Sequence, residues 1–262
     1  MKQRNCLAAF EDRSLSIRRR IVELGTSSPY KIAHYGGALS VVDLINFLYT
    51  HYLRLERKDA ENPSRDRFVL SKGHSCLALY SCLVEFGLIE EKNLDFEVCG
   101  STFAGHPIID RPNFIDYSTG SLGNGLSYAI GSSLALKSRR VACIVGDGEL
   151  GEGAVWESVR IAGRLALENL LLVVDCNEFQ QTGSTSQISG KIELEPIFKG
   201  FGWQVVGADG NDAQHLDFLR SFINLCTGPK VIIAKTIKGK GVEEIEGLLE
   251  SHHTALRKIG KA

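Results

Sequence analysis

The segment Val141–Gly153, VACIVGDGELGEG, sets Asp147, Glu149 and Glu152 among four glycines directly after an apolar run. Glycines behind a strand let backbone N–H groups approach an anion such as a diphosphate. Carboxylates in the same loop repel that anion, so a phosphate reaches it only through a cation. Mg²⁺ suits the task, because it takes one or two protein oxygens and fills its octahedron with water and phosphate oxygens. A second oxygen donor is at hand in Asp175-Cys176-Asn177, which ends the next apolar run, Asn169–Asp175. In a parallel strand–helix–strand unit both strands finish at the same edge, which makes Asp147 and Asn177 neighbours. Adjacent strands are about 4.8 Å apart, close enough for two side-chain oxygens to share one ion.

A rival use exists for the same loop. Gly146-x-Gly148-x-x-Gly151 satisfies the dinucleotide fingerprint G-x-G-x-x-G, and Asp175 has the position of the acid that binds a ribose. That loop meets pyrophosphate without a metal, so acids at its variable positions count against it. Histidine is the other chemical resource: His34, His74 and His106 sit beside Ala, Gly or Pro in turns. Such residues can exchange protons near neutral pH. Each taken singly also reads as an ordinary loop or N-cap residue.

The elements that must carry these groups alternate. Leu15, Ile21, Val22 and Leu24 give the apolar face of a first helix, and Val41, Val42, Leu44, Ile45 and Leu48 that of a second. Residues 68–71 read as a short buried strand, with Lys72-Gly73-His74-Ser75 opening a helix through Leu77, Tyr80 and Leu83. A helix of small residues around Ala129–Ala135 follows, then a strand at 141–145, a helix from about 152 to 167 and a strand at 169–175. Strands at 203–206 and 230–237 flank a helix at 212–225. Continuous apolar strands separated by helices define an α/β fold, a parallel sheet with helices on both faces.

Composition narrows the partners. The chain has 262 residues, 44% of them hydrophobic, and a formal net charge of -1. No basic footprint calls for nucleic acid or an anionic membrane, and the charged N-terminus has no apolar run of membrane-spanning length. Seven scattered cysteines without metal or redox spacing fit reduced thiols in a cytoplasmic protein. No repeat or linker divides the chain, so a single domain over 1–262 is expected.

Several separated stretches carry a resemblance: AHYGGALS, RDRFVLSKGHS, AGHP, STGSLGNGLS, GDGELGEGAVWE, DCNEFQQTG, FGWQVVGADGND and TIKGKGV. From about residue 12 to 253 the chain resembles the N-terminal, diphosphate-binding part of transketolases, and the GDG…Asn pair resembles the thiamine diphosphate motif. The resemblance implies a thiamine diphosphate-binding fold with thiamine diphosphate and Mg²⁺ as cofactors. It implies that Asp147, Asn177 and the Phe179 carbonyl hold the metal, and that His74, Gly120, Ser121, Leu122, Gly148 and Asn177 contact the cofactor. His34, His106 and His252 would face the sugar, with His253 as the alternative to His252. Glu152 would lie near a subunit interface and communicate with the cofactor-activating carboxylate. Glu149 is left as a solvated or interface side chain, and Tyr35, beside the first histidine, would narrow the pocket.

In transketolases the activating glutamate belongs to a pyrimidine-binding domain, which no segment of this sequence matches. The resemblance therefore implies the small subunit of a split enzyme, α2β2 with a companion that carries the pyrimidine-binding and C-terminal domains. The pair would move a two-carbon ketol unit from a ketose phosphate to an aldose. A subunit of a 2-oxo-acid decarboxylase or dehydrogenase shares the GDG and Asn elements and is the alternative, with the dinucleotide-binding protein behind it.

Overall fold

The computed structural model describes residues 2–256, so both ends of the expected 1–262 domain lie outside the described residues. Helices α1 (Lys2–Ser27), α2 (Tyr35–Ser40) and α3 (Val42–Phe47) precede strand β1 (Arg67–Leu70) and helix α4 (Cys76–Glu85). Next come α5 (Gly125–Ala135), β2 (Val141–Gly146), α6 (Gly153–Arg164) and β3 (Leu170–Cys176). The short helices α7 (Thr185–Ser189) and α8 (Leu194–Gly200) lead to β4 (Gln204–Asp209), α9 (Ala213–Leu225) and β5 (Lys230–Lys235). The five strands are parallel, in the order β1-β2-β3-β5-β4.

Side-chain alternation along these strands builds a core on each face. Phe68, Leu70, Ala142, Ile144, Leu171 and Val173 point to α1–α4, while Val69, Val141, Cys143, Val145, Leu172 and Val174 point to α5, α6 and α8. Strands buried on both faces are why these segments read as unbroken apolar runs. The expected sheet is therefore present, each strand within three residues of its expected bounds.

Local departures have local causes. Leu15 is 47% exposed, and α1 instead buries Phe10, Ser14, Ile17 and Ile21. That spacing follows 3.6 residues per turn, with Leu15 on the far side. Helix α6 stops at Arg164, before the expected residue 167, because Ala166 turns left-handed at φ 47°. Helices α7 and α8 lie where no helix was expected.

The entry to β1 is fixed by charge. Arg65 forms a two-pronged pair with Asp116 (2.8 and 2.9 Å), their side chains 2% and 1% exposed, and Asp116 also accepts from Phe68 N at 3.3 Å. Asp116→Ala strands Arg65 as a buried, unpaired cation. A loss of about 3–5 kcal/mol is expected in urea unfolding, the usual cost of breaking such a pair. A loss below about 1 kcal/mol, the level of an exposed pair, contradicts this account.

Candidate active site at the C-terminal edge of the sheet

In a parallel sheet the loops that follow the strands share one rim, and that rim is where open α/β sheets bind ligands. Here β1 delivers Ser71–His74, β2 delivers Asp147, β3 delivers Asn177 and β5 delivers Thr236–Lys238. Asp147 N donates to Asp175 O at 3.0 Å, tying the β2 loop to β3. Its Oδ1 accepts from Gly148 N (2.9 Å), and its Oδ2 accepts from Glu178 N (2.8 Å) and Thr185 Oγ1 (3.0 Å). The carboxylate thus leans directly on the Asn177 loop. Asn177 is 6% exposed; its Nδ2 donates to Asp175 Oδ2 at 2.7 Å and its Oδ1 accepts from Phe179 N at 3.2 Å.

Phe179 pairs with Ser184 across a turn whose flanking bonds run from Gln180 N to Gly183 O and from Thr185 N to Glu178 O. Such flanking leaves the Phe179 N–H and C=O pointing out of the turn, on the side of Asn177. Carboxylate, amide oxygen and backbone carbonyl are hard oxygen donors, the set Mg²⁺ takes. Burial, and then the nearby Asp175 charge, push the Asp147 carboxyl above the usual range. A divalent cation supplies the charge that this acid is short of, so the residues fit the ion. Among the described residues no cluster of three or more His, Cys, Asp or Glu could hold a metal, and an Asp–Asn–carbonyl set requires none.

Glu149 is not solvated. It is 2% exposed, with its carboxylate bonded to Ser71 Oγ and accepting from Gly123 N (2.7 Å) and Gly146 N (3.2 Å). It is a strut that joins the β1 loop, the β2 loop and the 118–125 loop, all separate in sequence. Gly120, Ser121 and Leu122 stand at the surface of that last loop, Gly120 at φ 149°. Thr119 N donates to Pro107 O at 3.0 Å, and a methyl group on Gly73 would overlap the Thr119 side chain. The loop is thereby held against the turns that carry His74 and His106. Glu152 is exposed before α6, and its Cβ packs on Gly123, whose φ is 87°.

The histidines converge. Ring centroids lie 5.7 Å from His34 to His74, 5.7 Å to His106, 5.4 Å to His252 and 4.5 Å to His253. An antiparallel bridge between Ala33 and Thr254 (3.0 and 3.1 Å) joins the segment before α2 to the segment around Thr254, so His252 and His253 both reach the cluster. Gly37 makes room for His74: a Cβ would sit 3.0 Å from its ring. Burial, then His253 and the other rings, lower the His34 pKa to about 3. Burial, then Lys238, lower that of His252 to about 4. Burial also depresses His74 and His106. At neutral pH these four are uncharged imidazoles, each with one N–H donor and one acceptor nitrogen.

Three charged groups escape sequence reasoning. Lys72, 1% exposed, pairs with Asp175, 0% exposed; buried so, Asp175 cannot serve as a ribose-binding acid. Lys238, 2% exposed, donates to Gln180 O (3.2 Å) and lies 3.5 Å from His252 Nδ1 and 5.5 Å from the Phe179 ring centre. Burial, then Lys72, bring its pKa down to about 8. It links the Asn177 loop to the histidines. Only the motifs SKGH and TIKGKGV marked these lysines. Tyr35 does not narrow the pocket, being fully buried with its ring against Gly25. A cavity of 1160 Å³ opens beyond Asp147 and Thr185 toward Lys191, Phe218 and Lys235, away from the five clustered histidines.

Residues 12–260, which carry both the oxygen-lined strand edge and the histidine cluster, match the family described as transketolase, thiamine diphosphate binding domain. The chain belongs to the transketolase family. It is 37% identical to one of the subunits of apulose-4-phosphate transketolase from Actinobacillus succinogenes, over 93% of this chain and 90% of that one. A 6-deoxy-6-sulfo-D-fructose transketolase subunit from a Clostridium strain is 36% identical, over 86% and 84%. Human transketolase is 34% identical over 92% of this chain, which spans 39% of its length. The crystal structure of transketolase from Campylobacter jejuni superposes with a TM-score of 0.87 at 28% identity, over 95% of this chain and 40% of that one.

Proposed function

We propose that this chain is the diphosphate- and Mg²⁺-binding subunit of a two-chain transketolase, folded as one domain and acting in the cytoplasm. Together with a companion that carries the pyrimidine-binding and C-terminal domains, in an α2β2 assembly, it transfers a two-carbon ketol unit from a ketose phosphate to an aldose. The observation that carries this reading is the convergence of His34, His74, His106, His252 and His253 beside the Asp147–Asn177 edge. Further support comes from the two relatives named as subunits, most of whose length this chain spans. Among the described residues no helix is long and apolar enough to cross a membrane.

In this reading Asp147, Asn177 and the Phe179 carbonyl hold the Mg²⁺, while His74, Gly120, Ser121, Leu122 and Gly148 line the cofactor. Thiamine diphosphate supplies, when bound, the electron sink for cleavage beside a carbonyl. His34, His106 and either His252 or His253 hydrogen-bond the sugar hydroxyls and move protons, which neutral imidazoles do without a desolvation penalty on a charge. Lys238 keeps a cation between the Asn177 loop and the histidines. Glu152, exposed at the α5–α6 surface, faces the companion.

In this reading the companion supplies the activating proton-transfer group, so ketol transfer by the purified chain is expected to fall about 10²–10⁴-fold below that of the pair, the span such a group contributes. The measurement compares the purified chain with the reconstituted pair on a ketose phosphate, with pyruvate as the competing donor. Equal turnover without the companion, or turnover of pyruvate in place of the sugar, overturns the proposal.

A further inference from the structure

Asp175 has no solvent exposure and no room for a ligand, yet its carboxylate gathers the elements that form the site. Oδ2 accepts from Ser40 Oγ (2.8 Å), Lys72 Nζ and Asn177 Nδ2 (2.7 Å), and Oδ1 accepts from Thr236 Oγ1. Ser40 closes the helix that begins beside His34, Lys72 precedes Gly73 and His74, and Thr236 lies two residues before Lys238. A carboxylate accepts and never donates. With four donors converging on it, Asn177 can present only its NH₂ branch to Asp175, which leaves Oδ1 on the other branch, where it accepts from Phe179 N.

We propose that Asp175 is a positioning residue that fixes the orientation of the Asn177 amide, so that oxygen rather than NH₂ faces the divalent cation. The inference rests on the metal-binding role proposed for Asn177. An amide at position 175 could still turn its oxygen to Asn177 and its NH₂ to the Thr236 hydroxyl, but an uncharged oxygen accepts more weakly than a carboxylate, so the preference of the Asn177 amide for this orientation would fall. Lys72 supplies the compensating charge, which lets an acid occupy this buried position at all.

The test uses Mn²⁺ as a spectroscopic stand-in for Mg²⁺, titrated by electron paramagnetic resonance into the reconstituted pair with thiamine diphosphate, and corrected for the folded fraction from thermal unfolding. Asp175→Asn is expected to weaken Mn²⁺ about 10–100-fold, the usual cost of losing a group that orients a metal ligand. The double variant Lys72→Met with Asp175→Asn removes the stranded buried cation, keeps the fold, and is expected to show the same loss. Thr236→Val deletes one donor to Asp175 without touching Asn177, and is expected to change the affinity by less than about threefold. Unchanged Mn²⁺ affinity in folded Asp175→Asn or in the double variant overturns the proposal. So does an equal loss in Thr236→Val, which would indicate general loosening of the loops. Failure of the unmodified pair to bind Mn²⁺ is a different result: it removes the metal-binding role of Asn177, and this inference with it.

Discussion

Asp147→Ala is expected to lower ketol transfer by the reconstituted pair by more than about 100-fold, the upper end of what a merely supporting partner of a metal ligand contributes. Two losses combine. The substitution removes the anionic oxygen of the Asp147–Asn177 edge, and it releases Gly148 N within the β2 loop and Glu178 N and Thr185 Oγ1, the two groups by which the β3 loop holds to it. Asp147→Asn separates them, because its amide oxygen can still accept hydrogen bonds while the charge is gone. Activity and Mn²⁺ affinity should fall in both variants, with loop protection in hydrogen exchange lost only in the alanine form. Full activity in Asp147→Ala would remove the metal site from the mechanism.

The second large effect is acid sensitivity centred on the histidines. The folded-state pKa values are depressed, to about 3 for His34 and about 4 for His252, with His74 and His106 also lowered. Unfolded histidine titrates near 6.5, so below that pH the unfolded chain binds protons that the folded chain refuses, and stability falls as pH falls. The window runs from about 6.5 down through the depressed values. Each fully buried imidazole contributes a slope of about 1.4 kcal/mol per pH unit. His34, His74, His106 and His252 are all partly exposed and contribute less, because solvent screens such a ring. Urea midpoints measured between pH 7 and 4 should decline steeply, and His74→Asn should flatten the decline. A midpoint independent of pH across that range contradicts the neutral cluster.

The Asp147–Asn177 edge was legible in the sequence because it follows from a general rule: parallel strands joined by a helix end side by side. The sheet was legible for a related reason, since strands covered on both faces leave uninterrupted apolar runs. Glu149, Lys72, Asp175 and Lys238 were not, because charged side chains are exposed by default and only three-dimensional partners reveal a buried one. Glu149 draws its donors from Ser71 and Gly123, positions that no local pattern connects. The resemblance singled out His34, His106 and His252. Their approach depends on the Ala33–Thr254 bridge, a contact that periodicity cannot foretell. Helices α7 and α8 escaped notice because they run only five and seven residues, too few for an amphipathic repeat to show, and Ile188 of α7 remains 48% exposed.

That bridge also sets the histidine cluster apart from the scaffold. The last strand ends at Lys235, well before Thr254, so no strand of the sheet includes the bridge. What the bridge sets is the placement of His252 and His253 against His34. A variant that loses the bridge would therefore keep its scaffold and its oxygen-lined edge, with His34, His74 and His106 left without the two rings beside Thr254.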